Sequence, residues 1–387
     1  MNHWKETAEI VLRLAELAAA KQRAALATVV HIAGSAYRRP GAKFLIEESG
    51  ATLGSVSGGC LEADVREVAR AVAEGGTPCL RHYHTGAEED IVWGLGLGCN
   101  GLVDVFVQPA TFGSLADLAG PLRQLCAGDT AFAVATVIEG GEELGATLAI
   151  DATGAVYGSL GTANLDRPAA EHARELLEPK RSIAVRGPGS SAHSAVLDLA
   201  GRRLFVEALQ PPPHLVVCGA GDDARPLVDY AADAGFRVTV LDHRPALLEP
   251  RHFPAAARLA VARPESQDID LPPAGRSLAV VKTHSLAHDR EWVRRLLAAG
   301  LPYVGVLGPR ERTEAILRDV AVGLGAQAAA GAASAPPAER VFGPVGLDLG
   351  ADGPRQVALA IVAELLAFVA QREPRHLSER REAIHAG

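Results

Sequence analysis

The sequence predicts an α/β protein, with an amino-terminal α+β domain followed by a Rossmann-like, doubly wound parallel sheet. Two patterns and a joint carry this reading. β-branched runs divided by turn residues dominate the first half, whereas strands and helices alternate from residue 214 onward at βαβ spacing. Between them stands QPPPHL at 210–215, where consecutive prolines remove backbone donors and hold the chain extended. The expected organisation is a first domain over 1–210, with a β-rich extension at about 130–205. A Rossmann-like domain follows over 211–373, then a charged tail over 374–387.

Each element has its own reason. MNHWKETAEIVLRLAELAAAKQRAA interleaves apolar residues with Lys5, Glu6, Glu9, Arg13 and Glu16, so it reads as an amphipathic helix and not as a signal peptide. ALATVVHIA is a buried strand by its β-branched content. The loop GSAYRRPGA and the strand KFLIEE follow. A turn at Ser49 and Gly50 leads into TLGSVSGG and a helix in which Leu61, Val65, Val68, Ala69 and Val72 recur at helical spacing. EGGTP stops that helix. CLRHYH and LVDVFVQP read as strands on either side of the glycine loop WGLGLGCNG. AFAVATVIEG, ATLAIDATG and RRLFVEAL supply the β pattern of the extension, and PAAEHARELL its one helix.

Beyond the prolines, HLVVCGAG, FRVTVLDHR, SLAVVKTHS and PYVGVLG are strands. DARPLVDYAADAG, REWVRRLLAAG and RTEAILRDV are the helices between and after them. AQAAAGAASAPPAE is a low-complexity insert. PRQVALAIVAELLAFVAQRE is a last helix with Pro354 near its first turn.

Composition narrows the function. The 387 residues are 48% hydrophobic and 22% charged, and the formal net charge of −8 gives no support for sequence-independent nucleic-acid binding. No apolar run is long enough to span a membrane. Five cysteines in a chain of this length form no disulfide framework. Reduced thiols and a cytoplasmic location are expected.

The candidate chemistry lies in two places. Cys60 stands between Gly58–Gly59 and the start of a helix, where free amides and the helix dipole favour a thiolate or an incoming phosphate. A small residue chosen for close packing is the alternative. Cys99 lies in WGLGLGCNG, where Gly98 and its neighbours let a ligand approach the backbone. Zinc-type pairing is missing, since Cys60 and Cys99 are 39 residues apart with His82-x-His84 between them; a soft metal or a sulfur-rich ligand suits thiolates better.

In the second half, Gly219-Ala220-Gly221-Asp222-Asp223-Ala224 matches the dinucleotide fingerprint after a strand and before a helix. Gly219 allows the turn, Gly221 the approach of phosphate, and Asp242 at the next strand end would bond a ribose hydroxyl. Asp222 and Asp223 would repel that phosphate, so an empty Rossmann scaffold stays open as a reading. His284 with Asp289 reads as an oriented base or as a capping turn. Arg310, after the glycine turn of Gly305 and Gly308, reads as a phosphate clamp.

The stretch GSAYRRPGAKFLIEESGATLGSVSGGCLE resembles the amino-terminal signature of the xanthine dehydrogenase accessory proteins, the XdhC/CoxI family. WGLGLGCNG, CGAGDDARPL, VTVLDHRP, KTHSLAHD, YVGVLGPRER and GPVGLDLG continue the likeness in the family's order. The middle β region and the Ala-rich insert fall outside it. What the resemblance implies is a chaperone rather than a metabolic enzyme. Such a protein binds molybdenum cofactor, as molybdopterin or its cytidine dinucleotide form, protects it during sulfuration, and inserts it into xanthine dehydrogenase or a related molybdenum hydroxylase. The implied partners are the apo hydroxylase and a cysteine desulfurase, and a homo-oligomer stays open. Gly58 and Gly59 would meet the cofactor's phosphate or oxo-metal end, with Arg38, Arg39 and Lys43 adding positive charge. Cys60 or Cys99 would touch molybdenum or hold sulfur. The crevice of Gly219, Gly221, Asp242, His284 and Arg310 would take a nucleotide tail.

This chain departs from the family pattern around that crevice. It reads Thr283-His284-Ser285 where Thr-His-Asp is common, and Gly308-Pro309-Arg310 where Gly-Ser-Arg is common. After GLDLG it carries Asp352-Gly353-Pro354-Arg355-Gln356 in place of a Thr-Pro-Glu-Glu segment. Two other functions remain in view. One is an NAD(P)-dependent oxidoreductase, from the fingerprint and Asp242; the other is an assembly factor that bridges partners without holding cofactor.

Overall fold

The structure is a computed structural model, and it describes residues 4–34, 36–84, 101–177, 193–266, 269–324 and 337–379. The chain divides into two compact units, Asn2–Pro211 and Pro212–Arg375, and the division falls within the proline run.

The first unit opens with α1 (Trp4–Ala19), which buries Ile10, Leu14 and Leu17 along one stripe. Five strands follow: β1 (Ala24–Gly34), β2 (Lys43–Glu47), β3 (Thr52–Gly54), β4 (Cys79–His84) and β5 (Gly101–Pro109). They form an antiparallel sheet in the order β3-β2-β1-β5-β4. Side chains alternate across a strand, so β2 serves two layers. Phe44 and Ile46 meet Val65, Ala69 and Val72 of α2 (Glu62–Gly75). Leu45 meets Ile10, Leu14 and Leu17 of α1 on the opposite face.

The expected β-rich extension is a second complete layer. It begins with α3 (Ser114–Ala127) and continues through β6 (Phe132–Glu139), β7 (Thr147–Asp151), β8 (Val156–Ser159), α4 (Ala163–Leu177), β9 (Ser194–Leu199) and β10 (Arg202–Leu209). Its sheet is antiparallel in the order β8-β7-β6-β10-β9. The sequence pattern does not announce α3, because Gly120-Pro121 reads as a break. Pro121 removes a helical donor. The buried stripe of Leu115, Leu118, Leu122 and Leu125 nonetheless holds the helix.

The second unit is the Rossmann-like half. Its strands are β11 (His214–Cys218), β12 (Arg237–Asp242), β13 (Arg258–Val261), β14 (Ser277–Val281), β15 (Tyr303–Val306) and β16 (Val341–Phe342). All are parallel, in the order β13-β12-β11-β14-β15-β16, which is the doubly wound 3-2-1-4-5-6 arrangement. Leu215 and Val217 face α5 (Arg225–Asp233) and a helix we number α8 (Pro354–Val369). Val216 and Cys218 face α6 (Leu286–Ala298) and α7 (Arg310–Leu324). The short edge strands β13 and β16 carry too few residues to show a period in the sequence. Most of the Ala-rich insert lies outside the described residues. Among the described residues no helix is long and apolar enough to cross a membrane.

Candidate functional site

Cys60 lies two residues before α2, not on its first turn, and is half-buried as a free thiol. The segment from Val56 to Leu61 is irregular, and Gly59 holds a φ of +113°, which glycine adopts without strain. The anion expected at the helix start is already present: it is Glu62. Its carboxylate accepts from the Ser57 amide at 2.8 Å and from the Ser57 hydroxyl. Ser57 Oγ in turn accepts from the amides of Gly59 and Leu61, each at 3.1 Å. Burial pushes the Glu62 carboxyl up, but the hydrogen bonds from Ser57 outweigh it and hold the group below the usual range. The exposed ring of Tyr37 lies over this loop, since a Cβ on Gly58 would stand 3.5 Å from it. Tyr37 belongs to the GSAYRRPGA stretch, yet only the fold shows that it covers Gly58.

Arg38 and Lys43 do not supply free positive charge to Cys60. Arg38 is paired with Glu6 at 2.6 Å. Lys43 is buried and points to the face of β2 away from α2, where Nζ meets Glu207 at 2.6 Å and the Gly41 carbonyl at 3.0 Å. Strand alternation separates it from the loop: Phe44 faces α2, so Lys43 cannot. Cys99 and Gly98 lie outside the described residues. Burial pushes the thiols of Cys79 and Cys126 up, Cys126 to about 11, and the enclosed Cys218 also rises. Among the described residues no group of three His, Cys, Asp or Glu side chains is placed to hold a metal ion.

The parallel sheet reverses its strand order between β11 and β14, and the fingerprint glycines sit there. The two side chains expected to meet a nucleotide's sugar and base end, Asp242 and His284, already have partners from the chain. Asp242 accepts from the amides of Ala220 and Arg244 and from the Arg244 guanidinium, all at 2.8–3.0 Å. A carboxylate offers about four lone-pair sites, and here they are taken. Burial opposes the Asp242 charge, but these bonds lower its pKa to about 2.

Asp223 turns back over Gly221, where an added Cβ would stand 2.7 Å from Oδ1. Its carboxylate is held by Lys282 at 3.1 Å and His284 at 3.2 Å. His284 therefore pairs with Asp223 and not with Asp289. Asp289 accepts from Thr283 and from Arg312 instead, fixing the turn after β14. Arg310 is exposed at the start of α7, and Arg312 makes the inward contact. The roles of Asp223, Lys282 and Arg312 are not legible in the sequence, because their partners come from other strands and helices.

Comparison with known proteins places these features in a family. The XdhC Rossmann domain model matches residues 215–365, and the XdhC and CoxI family model matches 17–84 and 125–186. The second matched stretch corrects the expectation that the middle β region falls outside the likeness. A Bacillus subtilis protein, named as a probable xanthine dehydrogenase subunit, is 30% identical over 350 residues, covering 89% of this chain and 93% of that protein. The uncharacterised YqeB of Escherichia coli is 25% identical over 228 residues, 57% of this chain and 40% of YqeB. A solved structure described as a xanthine dehydrogenase from Bacillus halodurans matches with a TM-score of 0.70 and 28% identity, over 94% of this chain and 96% of that one. With its glycine-cysteine loop beside the first sheet, its 3-2-1-4-5-6 parallel sheet, and a match that runs over 89% of its length to the Bacillus subtilis protein, the chain belongs to the XdhC and CoxI family.

Proposed function

We propose that the chain is an accessory protein of a xanthine dehydrogenase-type molybdenum hydroxylase, and that it holds molybdenum cofactor while sulfur is installed and until the cofactor is handed over. The names of its relatives support the xanthine dehydrogenase link. The observation that carries the cofactor reading is the Gly58–Cys60 loop, where the ring of Tyr37 lies over Gly58 and a half-buried free thiol follows two residues later, its inner side packed on the core under α2.

The donor chemistry of that loop fits one end of the cofactor better than the other. Cys60 offers a soft ligand, suited to molybdenum or to a transferable sulfur. Tyr37 offers a flat face to a heteroaromatic ring. The phosphate is served less well, because Glu62 already occupies the helix start and Arg38 is tied to Glu6. We therefore assign Cys60 to the metal and sulfur end. When bound, the cofactor supplies the redox-active metal and its sulfur. The chain supplies a thiol, a covered loop and a handover surface for the apo hydroxylase.

The crevice residues do not fit a dinucleotide as they stand. Asp223 covers Gly221, and Arg244 takes the carboxylate that would meet a ribose.

The test is pterin and molybdenum content of protein purified from a cofactor-producing host. Wild type should carry both. Cys60→Ser, which keeps size and hydrogen bonding, should fold as wild type but lose most of the cofactor and activate the hydroxylase poorly. Equal pterin in wild type and Cys60→Ser would sink the assignment.

A further inference from the structure

The two halves of the first unit repeat one another. Among the described residues each runs helix, three strands, helix, two strands, and each sheet has the same strand order once the second is renumbered from β6. The likeness extends to single hydrogen bonds. The Val29 amide donates to the Ala42 carbonyl at 2.9 Å and the Gly41 amide to the Val29 carbonyl at 2.8 Å; Val137 with Ala146 and Gly145 with Val137 repeat both, at 3.0 and 2.9 Å. Glu47 with Ala51 is matched by Asp151 with Ala155, each at 3.0 Å.

Irregularities repeat too, which shared topology alone does not require. The ladder between β1 and β5 shifts register at Val30, and that between β6 and β10 shifts at Ile138, the equivalent place. Gly54 and Gly158 both hold positive φ, and a Cβ on either would collide with a carbonyl of the neighbouring strand, Lys43 or Thr147. An acid in the first turn of each helix clamps the loop before it, Glu62 on Ser57 and Asp166 on Ser159 and Leu160. Beside each bulge three cross-strand residues form a row in which acid and base exchange places. Asp104 lies between His31 and His82 in one, and Arg203 between Glu139 and Asp198 in the other.

The sheets also meet through equivalent residues. Val30, Phe106 and Leu80 pack in one cluster with Ile138, Phe205 and Val196, their counterparts by strand register. A cavity of about 40 Å³ between them is lined by matched pairs, including Leu14 with Leu122 and Thr28 with Thr136. Residues packing on their own equivalents are what a twofold, isologous interface produces.

We infer that Trp4–Ala110 and Ser114–Leu209 are two copies of one module paired about a pseudo-twofold axis. The surface each presents to the other fits a second copy of that module, and the Lys43–Glu207 ion pair makes unlike copies the better match. The equivalents of Lys43 and Glu207 are Thr147 and Gln108. Thr147 Oγ1 donates to the Gly145 carbonyl at 3.0 Å as Lys43 Nζ does to that of Gly41, and Gln108 stands beside Gly145. One diagonal of the interface is thus ionic and the other neutral. Pairing two first copies would set a buried Lys43 against Gln108, and pairing two second copies would set Glu207 against Thr147. Either leaves a buried charge without its counter-ion, the costly case, whereas fixing which surfaces pair is the best-attested use of a buried ion pair.

The test exchanges residues between copies in the full chain and follows urea unfolding of the first unit. Glu207→Gln reproduces the contact of two first copies and Lys43→Thr that of two second copies, so each should lower the midpoint. The double variant Lys43→Thr/Glu207→Gln writes the neutral diagonal twice and should recover most of either loss. As a second cycle, Thr147→Lys alone should lower the midpoint and Thr147→Lys/Gln108→Glu should restore it by writing the ionic diagonal twice. If both double variants are as unstable as the sum of their single changes, the copies are not interchangeable and the inference falls. The second cycle still decides the matter where Lys43→Thr alone does not fold.

Discussion

At the scale of single residues, the charges that matter are those whose partners lie far away in the chain. Asp242 was legible as an acid at a strand end, but its ties to Arg244 and Ala220 were not, and they decide what it does. The same holds for Glu62, which the sequence shows only as one acid among many. Its clamp on Ser57 needs the loop to fold back first. A pH consequence follows for Asp242. Its folded pKa of about 2 lies below the unfolded value near 3.9, so its stabilisation is full above pH 4 and is lost as pH falls toward 2. The effect is worth about 2 kcal/mol. Replacing Arg244 with Met should move the acid unfolding of the second unit to higher pH, measured by circular dichroism. An unchanged acid midpoint would show that Arg244 does not hold the charge.

At the scale of elements, the long β-branched strands and the βαβ alternation were legible because each repeats its own period. The helix α3 was not, because Gly120-Pro121 outweighs its apolar stripe when the sequence is read alone. Nor was the repeat within the first unit. Its copies share apolar positions and turn geometry rather than residue identity, as Lys43 with Thr147 and Cys60 with Asn164 show. Turn geometry yields a paired prediction. Gly54→Ala and Gly158→Ala each force a β-carbon into positive φ and onto a neighbouring carbonyl. Each should cost about 2 kcal/mol, read by urea unfolding, and the two costs should be similar. A free substitution at either glycine would mean that the strand there relaxes outward.

At the scale of the whole molecule, two units with separate cores share a chain. The first has two antiparallel sheets, each with a helix on its outer face; the second has one parallel sheet covered on both faces. Cores that share no residues need not melt together. Scanning calorimetry should resolve more than one transition. The Gly54→Ala change should shift one of them and Arg244→Met another. A single transition moved equally by both would show that the units unfold as one.

The first turn of α4 has a meaning beyond its own packing. Ala163 and Asn164 wind into helix at the positions where Gly59 and Cys60 stay unwound, although the two stretches from Gly54 to Glu62 and from Gly158 to Asp166 are of equal length. The second copy thus records what the module does when no cysteine loop is asked of it. On the proposed function the two copies divide the labour: the first keeps an open loop for cargo, and the second, wound into helix at the same place, serves as its scaffold.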